Sequence, residues 1–595
     1  MLNLVDVPPR NGAPYAITVG GDGARVVFLR SPDPSTSDAG LWVLTVATAK
    51  ERLISAGPVG LYTIDHFARV AAYATDGRLH RADLLGGSVA LVPTAQPAID
   101  PRPDPYGRHI GYVTPNACLR VIGPDGEDAL LAGEPDGPTW RDPGGVRWGV
   151  PDAAGSAFGR SRGWWWSPDG SQILAARCAG SVSLHLLDLD GGWVDVHWDR
   201  ETYPYLVEAR WGEGGGPLIT VLRRMQQHGL VLSVDPRTGE TQVHAELADA
   251  RWVEPVAGTP RHLPDGRVLV GGELAHDGFD ARCLFADGSL LTPPDLYVRR
   301  VVGVLPRPGA PAAGPDLIIE GSAEEPAARD VYRIRTSLGG GGAQAIRLTS
   351  GGWHRAAVGG DVVVLDAVVW RSDVRVSALG SYAEPLPFAT EPVLERVTDR
   401  RIPAAVLYPY RHVSGTSLPV LIDLGDGPLR QRVTLDGAGW QERQWWAEAG
   451  FAVVSIDGRG TPGVAPSFEK VVHRRVGDVA LADIADALHA LVGKHTDLDL
   501  NRVAVRGSGL GGWLAGLATL RRADLARIAV ARDPVLDWTD LPVAFAERYL
   551  GRFADSPDVY AHHSLREEPL PDTFVVLPAD APPEAELELI RRRLA

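Results

Sequence analysis

The chain has three cysteines, three lysines and no long apolar run, and each shortage excludes a class of protein. Cys118, Cys178 and Cys283 lie far apart, so neither a disulfide framework nor a zinc site is expected. No apolar stretch is long enough to cross a bilayer, and the first residues carry no basic, apolar leader. We therefore predict a cytoplasmic location, no membrane contact, no metal and no cofactor.

The charge balance argues against nucleic acid as a partner. The formal net charge is −15 at pH 7, and nearly all positive charge is arginine. A strongly negative chain is repelled by phosphate backbones and by anionic membrane surfaces. We therefore predict a peptide or a protein as the binding partner.

Residues 1–385 show many short β-type runs, such as 24–29, 41–46 and 230–234. Turn signals such as Asp76-Gly77, Asp265-Gly266 and Asp287-Gly288 separate these runs and predict hairpins. A sandwich rarely needs so many strands, whereas a radial repeat does. The pattern predicts a β-propeller of seven or eight blades.

Residues 386–595 have a different pattern, which begins after Pro385-Leu386-Pro387. Apolar runs at 419–424, 451–457 and 502–506 alternate with helical patterns at 441–449 and 476–495. Such alternation predicts a parallel sheet that is covered by helices on both faces. A chain of 595 residues is also too long for a single core, which agrees with two domains.

The glycine-rich run Gly507-Ser508-Gly509-Leu510-Gly511 follows the third of these strands. In the elbow Gly-x-Ser-x-Gly of α/β-hydrolases, the middle residue presents its hydroxyl on a strained strand-to-helix turn. Here the middle residue is Gly509, and the hydroxyl belongs to Ser508, one position earlier. The spacing therefore predicts an elbow without a nucleophile at its apex.

Three further segments carry a resemblance to a known family: 163–170 (GWWWSPDG), 455–462 (SIDGRGTP), and 534–538 (PVLDW) with 546–551 (AERYLG). In these segments the chain resembles the prolyl oligopeptidase family, most closely its dipeptidyl peptidase IV-like branch. The resemblance implies a β-propeller followed by an α/β-hydrolase domain, and serine peptidase activity on short peptides. It also implies a catalytic serine, aspartate and histidine in that order along the chain.

The catalytic positions that the resemblance implies are incomplete. The nearest equivalents are Ser508 or Gly509 for the nucleophile and Asp580, after a late strand, for the carboxylate. The histidine should follow Asp580, but the last histidine is His563 and the sequence ends at Ala595. Without an imidazole the proton of a serine hydroxyl has no acceptor. We expect a hydrolase domain that lacks its last strand and helix.

The other functional positions of the family are also altered. The oxyanion region, at Gly425 and Leu510, has no tyrosine in the run 424–428. The branch reads a peptide amine with paired glutamates, but no glutamate occurs between Trp148 and Trp164, and Asp152 is interpreted as a turn residue. The residues that would line the apolar substrate pocket are Val535, Trp538, Leu541 and Phe545; they are equally well explained as core.

Three functions remain open at this point. The favoured hypothesis is a non-catalytic homologue that binds a peptide or protein, with a homodimer or partner covering the open sheet edge. The second is an active serine peptidase or esterase that uses Ser508 with a histidine from elsewhere, for example from a second subunit. In the third, the propeller alone serves as an interaction platform.

Overall fold

Nine β-sheets form the framework of the computed structural model, which describes residues 12–33, 38–134, 137, 145–275, 278–307, 314–336, 344–383, 391–567 and 569–595. Eight of these sheets precede residue 379; seven have four strands and one has five. The ninth sheet has seven strands and begins at Val393. The eight small sheets confirm the predicted propeller and fix its blade number at eight.

The antiparallel strands of the propeller follow chain order, four to a blade except for blade 4. Blades 1 to 4 comprise β1 Tyr15–Val19, β2 Arg25–Arg30, β3 Gly40–Thr45, β4 Lys50–Ser55; β5 Tyr62–Ile64, β6 Val70–Thr75, β7 Arg78–Asp83, β8 Val89–Val92; β9 Ile99–Pro103, β10 Ile110–Val113, β11 Leu119–Ile122, β12 Asp128–Ala132; and β13 Arg147–Trp148, α1 Ala153–Ala157, β14 Trp164–Trp166, β15 Gln172–Ala179, β16 Ser181–Asp188, β17 Trp193–Asp195. Blades 5 to 8 comprise β18 Tyr205–Arg210, β19 Leu218–Leu222, β20 His228–Val234, β21 Thr241–Ala248; β22 Arg261–His262, β23 Val268–Leu274, β24 Ala281–Ala286, β25 Ser289–Leu290; β26 Tyr297–Leu305, β27 Asp316–Ser322, β28 Asp330–Arg335, β29 Gln344–Arg347; and β30 Ala356–Gly359, β31 Val362–Leu365, β32 Val368–Arg371, β33 Val374–Ala378.

Asp-Gly pairs form tight hairpin turns, as the sequence predicts. Between β6 and β7, Asp76 and Gly77 have φ angles of 51° and 75°. Between β24 and β25, Asp287 and Gly288 have φ angles of 45° and 78°. Positive φ at both central residues is the type I′ geometry, whose twist matches that of the flanking strands.

The ring of blades closes by packing its first blade against its last. One hydrophobic cluster joins Val26 and Phe28 of β2 with Val362 and Val364 of β31. All four side chains are fully buried or nearly so. The blades therefore share their cores with their neighbours around the whole ring.

The C-terminal domain is built on the seven-stranded sheet, in the order β34-β35-β37-β36-β38-β39-β40. Its elements are β34 Val393–Val397, β35 Ile402–Leu407, β36 Leu418–Asp423, α2 Gln441–Glu448, β37 Ala452–Ile456, α3 Pro466–Lys470, α4 Val476–Val492, β38 Leu498–Ser508, α5 Gly509–Arg521, β39 Ile528–Pro534, α6 Val543–Leu550, α7 Pro557–His563, β40 Phe574–Leu577 and α8 Pro583–Leu594. The strands from β36 to β40 are parallel, whereas β34 and β35 are antiparallel to their neighbours. This arrangement confirms the predicted α/β-hydrolase fold.

Helices cover both faces of this sheet, as the alternating pattern predicts. One face packs against α4 and α5, and the other against α2 and α8. Within the described residues the sheet ends at β40, which pairs on one side only, with β39.

The propeller contacts the hydrolase domain through ion pairs with buried side chains of α3 and α6. Glu469 of α3 accepts a hydrogen bond from Arg282 at 2.8 Å, and Lys470 donates to Asp249 at 2.7 Å. On α6, Glu547 accepts two hydrogen bonds from Arg224, at 2.6 and 2.8 Å. These contacts fix the two domains against each other.

Some of the sequence predictions fall where the structure is not described. The junction at Pro385-Leu386-Pro387 lies outside the described residues; blade 8 ends at Ala378 and the next strand starts at Val393. The three cysteines are free and buried. Among the helices of the described residues, none is both long and apolar enough to span a membrane.

Candidate functional site

The strand-to-helix elbow between β38 and α5 is the centre of the candidate site. Ser508 ends the strand in an extended conformation, with φ of −124° and ψ of 156°. Gly509 follows with a φ of 52°, in the left-handed region, and opens α5. Gly509 is therefore the residue at the apex of the turn.

Glycine is required on both sides of the apex. A Cβ on Gly507 would lie 2.4 Å from the carbonyl carbon of Gly511, and one on Gly511 would lie 2.1 Å from the carbonyl oxygen of Gly425. By contrast, a Cβ on Gly509 would meet no atom within 4 Å. The apex thus has room for a side chain that the sequence does not supply.

The hydroxyl of Ser508 is directed to the loop after β36. It donates to Asp426 Oδ1 at 2.8 Å and lies 3.3 Å from the carbonyl oxygen of Gly425. In the described part of the chain no histidine makes a hydrogen bond with Ser508. The hydroxyl therefore has a carboxylate as its neighbour in place of an imidazole.

The predicted oxyanion region presents acceptors to the elbow. The carbonyl oxygen of Gly425 accepts the backbone N–H of Ser508 at 2.7 Å, and the carboxylate of Asp426 lies beside it. Leu510, the residue after the apex, is nearly buried. Because an oxyanion is stabilised by donors, these two acceptors would oppose the development of negative charge here.

Asp580 lies in the turn after β40, as predicted, and is exposed. It makes no hydrogen bond or ion pair with another described residue. Two histidines of the domain have structural partners: His412 bonds to Asp497 at 2.8 Å, and His562 bonds to Asp478 at 2.9 Å. The structure does not bring Asp580 and a histidine together with Ser508.

His563 lies in the core, beneath α5. Its Nδ1 donates to the carbonyl of Val559 at 2.7 Å, and its Nε2 accepts from the backbone N–H of Gly477 at 3.3 Å. Burial lowers its pKa to about 4, so the imidazole is neutral at pH 7. Both ring nitrogens are occupied by backbone groups.

The predicted substrate-pocket residues pack against the core of the hydrolase domain. Trp538 is completely buried and contacts Trp513 edge-to-face, with ring centroids 5.3 Å apart. Phe545 stacks on Trp538 at 6.1 Å, and Val535 and Leu541 are partly buried beside it. Val535 also donates its N–H to the carbonyl of Gly509 at 3.0 Å, which links this layer to the elbow.

Asp152 of the propeller has a structural role. Its carboxylate caps α1 by accepting the N–H of Gly155 at 3.3 Å, and it also pairs with Arg160. This agrees with its interpretation as a turn residue. α1 lies close to α6 of the hydrolase domain, where Phe158 contacts the guanidinium of Arg548.

A group of buried charges beside the elbow was not anticipated from the sequence. Asp423, at the end of β36, is 1% exposed and pairs with Arg432, Arg443 and Arg506. Burial alone would raise the pKa of Asp423, but the three guanidinium groups hold it well below its usual range.

A second buried carboxylate extends this group across the sheet. Glu586 of α8 is 1% exposed and accepts hydrogen bonds from Arg506 at 2.9 Å and from Arg532 at 2.6 Å. The signal in the sequence is a charged residue directly after an apolar run in each of three strands, at Asp423, Arg506 and Arg532. Only the adjacency of these strands in the sheet shows that the three charges meet.

A cavity of about 600 Å³ adjoins these charges and the elbow. It is lined by Glu442, Trp445, Trp446, Arg506, Ser508, Gly509, Arg532, Asp533, Ala579 and Pro583. In the described part of the chain no group of three or more His, Cys, Asp or Glu side chains is arranged to hold a metal ion.

Comparison with known proteins gives a family match for part of the hydrolase domain. The sequence profile of the prolyl oligopeptidase family matches residues 439–568, which contain the elbow. This part of the hydrolase domain belongs to the prolyl oligopeptidase family. Human dipeptidyl peptidase 8 is 29% identical over 174 residues, which cover 28% of this chain and 19% of that protein. A protein of Talaromyces marneffei named as a dipeptidyl-aminopeptidase B is 24% identical over 65% of this chain and 45% of its own length.

A solved structure extends the likeness of the fold to both domains. The crystal structure of Porphyromonas gingivalis dipeptidyl peptidase 4 superposes with a TM-score of 0.77, at 18% identity, over 98% of this chain and 92% of that one. The sequence matches to the two named relatives span less than half of either protein's own length. The family match of residues 439–568 and the likeness of the fold over both domains are thus shown, whereas the activity is a matter for proposal.

Proposed function

We propose that this member of the prolyl oligopeptidase family does not hydrolyse peptides and instead binds a peptide or protein at the elbow cleft. The observation that carries the proposal is the apex itself: Gly509 has the left-handed φ of the elbow but no side chain. Transfer of an acyl group to an enzyme requires a nucleophilic side chain at this point.

The surroundings of Ser508 support the proposal on a second ground. Its hydroxyl donates to the carboxylate of Asp426, and a carboxylate is a much weaker base than an imidazole near neutral pH. A general base contributes about 100 to 10,000-fold to such reactions. The run 424–428 also lacks a tyrosine that could donate to an oxyanion, and the loss of one such donor costs about 100 to 1,000-fold.

The test is hydrolysis of Xaa-Pro-p-nitroanilides and p-nitrophenyl esters by homogeneous protein. We expect no turnover above the uncatalysed rate, and the same result for Ser508→Ala. Turnover that disappears in Ser508→Ala would overturn the proposal and establish the alternative, an active serine peptidase or esterase.

One contact favours that alternative enough to be tested directly. Because Ser508 is hydrogen-bonded to Asp426 at 2.8 Å, a Ser–Asp pair could accept a reactive phosphonate. A fluorophosphonate probe with mapping of the modified peptide decides the point. We expect no adduct on Ser508 in folded protein; an adduct there, lost in Asp426→Asn, would support the alternative.

The oligomeric state and the location are separate proposals. We propose a homodimer or a partner at the β40 edge, because β40 pairs with β39 alone in the described sheet. Light scattering on purified protein tests this, and a monomer at all concentrations would contradict the homodimer.

A cytoplasmic location stays a prediction, which a fluorescent fusion expressed in the native cell would check.

A further inference from the structure

The elbow cavity lies over the carboxyl ends of adjacent parallel strands. Arg506 projects from β38 and Arg532 from β39, and Ala579 follows β40. Open α/β sheets bind their ligands at this edge of the sheet, in the crevice outside the carboxyl ends. The position and the volume of about 600 Å³ both suit a small ligand or the end of a peptide.

Two arginines in the wall of the cavity are held rigidly from behind. Glu586 accepts the Nε–H of Arg506 and of Arg532, and it is completely enclosed. The Nη1 of Arg506 donates to Asp423 at 2.9 Å and to the exposed Glu442 at 3.3 Å, and the Nη1 of Arg532 donates to the carbonyl of Ala581 at 2.5 Å. The two guanidinium planes are therefore fixed before any ligand arrives.

Each arginine keeps one nitrogen for a ligand. Within the described residues, the Nη2 of Arg506 and the Nη2 of Arg532 make no hydrogen bond. Both nitrogens are accessible to solvent, since neither is a buried atom without a hydrogen bond. Preorganised guanidinium donors of this kind are the usual partners of carboxylate groups.

The electrostatics behind the cavity favour an anion. Four arginines surround Asp423 and Glu586, the two buried carboxylates of the group: Arg432, Arg443, Arg506 and Arg532. The helices α5 and α8 also begin in the wall of the cavity, at Gly509 and Pro583, and helix N-termini favour negative charge.

The mouth of the cavity limits the charge of that anion. Glu442 and Asp533 line the mouth and are exposed. They would repel a doubly charged phosphate more strongly than a singly charged carboxylate. Trp445 lines the same mouth and is 37% exposed, which offers an apolar surface to a side chain next to the carboxylate.

We propose that this cavity binds a peptide through a carboxylate, which is held by Arg506 and Arg532 while its neighbouring side chain packs on Trp445. This inference rests on the proposed function and names the chemistry of its ligand.

The experiment compares two libraries that differ in one group. Acetylated hexapeptides of randomised sequence ending in phenylalanine are made as free acids and as amides. Wild-type protein is equilibrated with each library, and retained peptides are identified by mass spectrometry and titrated by calorimetry. We expect the free acids to bind at least about 10-fold more tightly than the matched amides, as loss of a charge-assisted pair requires.

Variants then place the carboxylate. Arg532→Gln should weaken the free acids about 10-fold or more and leave the amides unchanged. Arg502→Gln is the control, because Arg502 lies on β38, the strand that carries Arg506, but pairs with Asp499 and does not line the cavity; this variant should change the binding of neither library. Millimolar inorganic phosphate should not displace the free acid.

The outcomes separate this inference from the proposed function. Equal binding of acid and amide, or displacement by phosphate at equal concentration, would overturn the carboxylate assignment while peptide binding stands. If the wild-type protein retained neither library, both the carboxylate assignment and the proposed peptide binding would be overturned. Cleavage of the bound peptides would overturn the proposed function but not the assignment of the carboxylate. The comparison of acid with amide uses the wild-type protein alone, so it tests the carboxylate assignment even if the Arg532→Gln protein does not fold.

Discussion

At the scale of single residues, the glycines of the elbow differ in whether a side chain would fit. Steric crowding requires glycine at some of these positions, whereas the apex has room for a side chain. Gly511 faces the carbonyl oxygen of Gly425 so closely that a methyl group has no room, whereas Gly509 faces open space. The same residue type therefore carries two different constraints within three positions.

Substitution of the two glycines should give opposite results. Gly509→Ser should fold, at a cost of about 1–2 kcal/mol for the left-handed φ. It should not gain hydrolytic activity, since no described histidine bonds to the elbow. Gly511→Ala should cost more than about 3 kcal/mol, because its Cβ overlaps backbone. Thermal denaturation measures the stability of the two variants, and ester hydrolysis measures their activity. A Gly511→Ala protein as stable as the wild type would contradict the close contact of Gly511 with the backbone of Gly425.

His563 should make stability depend on pH. Its pKa is lowered by burial to about 4 in the folded state, against 6.5 for a model histidine. The unfolded chain therefore binds the extra proton first, so this stabilisation is present above pH 6.5 and is lost as the pH falls toward 4. Between pH 7 and pH 5 the loss is about 2 kcal/mol.

Denaturant unfolding of the wild type and of His563→Gln at pH 7 and pH 5 isolates this contribution. The comparison of variants is needed because burial raises the pKa of Asp457 to about 6, which acts in the opposite direction over the same range. An unchanged slope in His563→Gln would show that the imidazole is not buried neutral.

At the scale of elements, α8 is held to the sheet by one carboxylate as well as by its apolar face. Ile590 and Leu594 pack on the core, while Glu586 joins the arginines of β38 and β39. The helix thus forms a wall of the elbow cavity and fixes the side chains in it.

Replacing Glu586 should loosen this helix. Glu586→Gln leaves the buried Arg506 and the partly buried Arg532 short of a shared counter-charge and should cost about 3 kcal/mol. Glu588→Gln, two positions along and exposed, should change stability by less than about 0.5 kcal/mol. Equilibrium unfolding of both variants measures the difference. Equal stabilities would refute a structural role for the contacts of Glu586 with Arg506 and Arg532.

At the scale of the whole molecule, the two domains are coupled through buried charges. Glu469 is 5% exposed and accepts from Arg282 of blade 6 and from Tyr297 of blade 7. Because these groups are desolvated, removal of the carboxylate leaves the Arg282 charge without its main partner.

Glu469→Gln should therefore uncouple the domains. Calorimetry should show one unfolding transition for the wild type and two for the variant, as the propeller and the hydrolase domain melt apart. Glu325→Gln is the control, since Glu325 pairs with Arg396 across the same interface but is half exposed, and it should retain one transition. A single transition in both variants would show that apolar contacts alone couple the domains.

The sequence alone predicted the architecture, since local patterns determine it. Asp-Gly pairs such as Asp76-Gly77 specify hairpins through their backbone preferences, and apolar runs alternating with helical periodicity specify a parallel sheet. The bare apex at Gly509 was also readable, because the spacing of Gly507 and Gly511 defines the turn.

What only the tertiary structure decided is which distant charges meet. Asp423, Arg506 and Glu586 are far apart along the chain and become neighbours because parallel strands align their carboxyl ends and α8 returns across them. No local pattern encodes such a contact, since its partners are selected by strand order and helix packing. The same reason explains why Ser508 points to Asp426, and why the cavity beside it carries two fixed arginines.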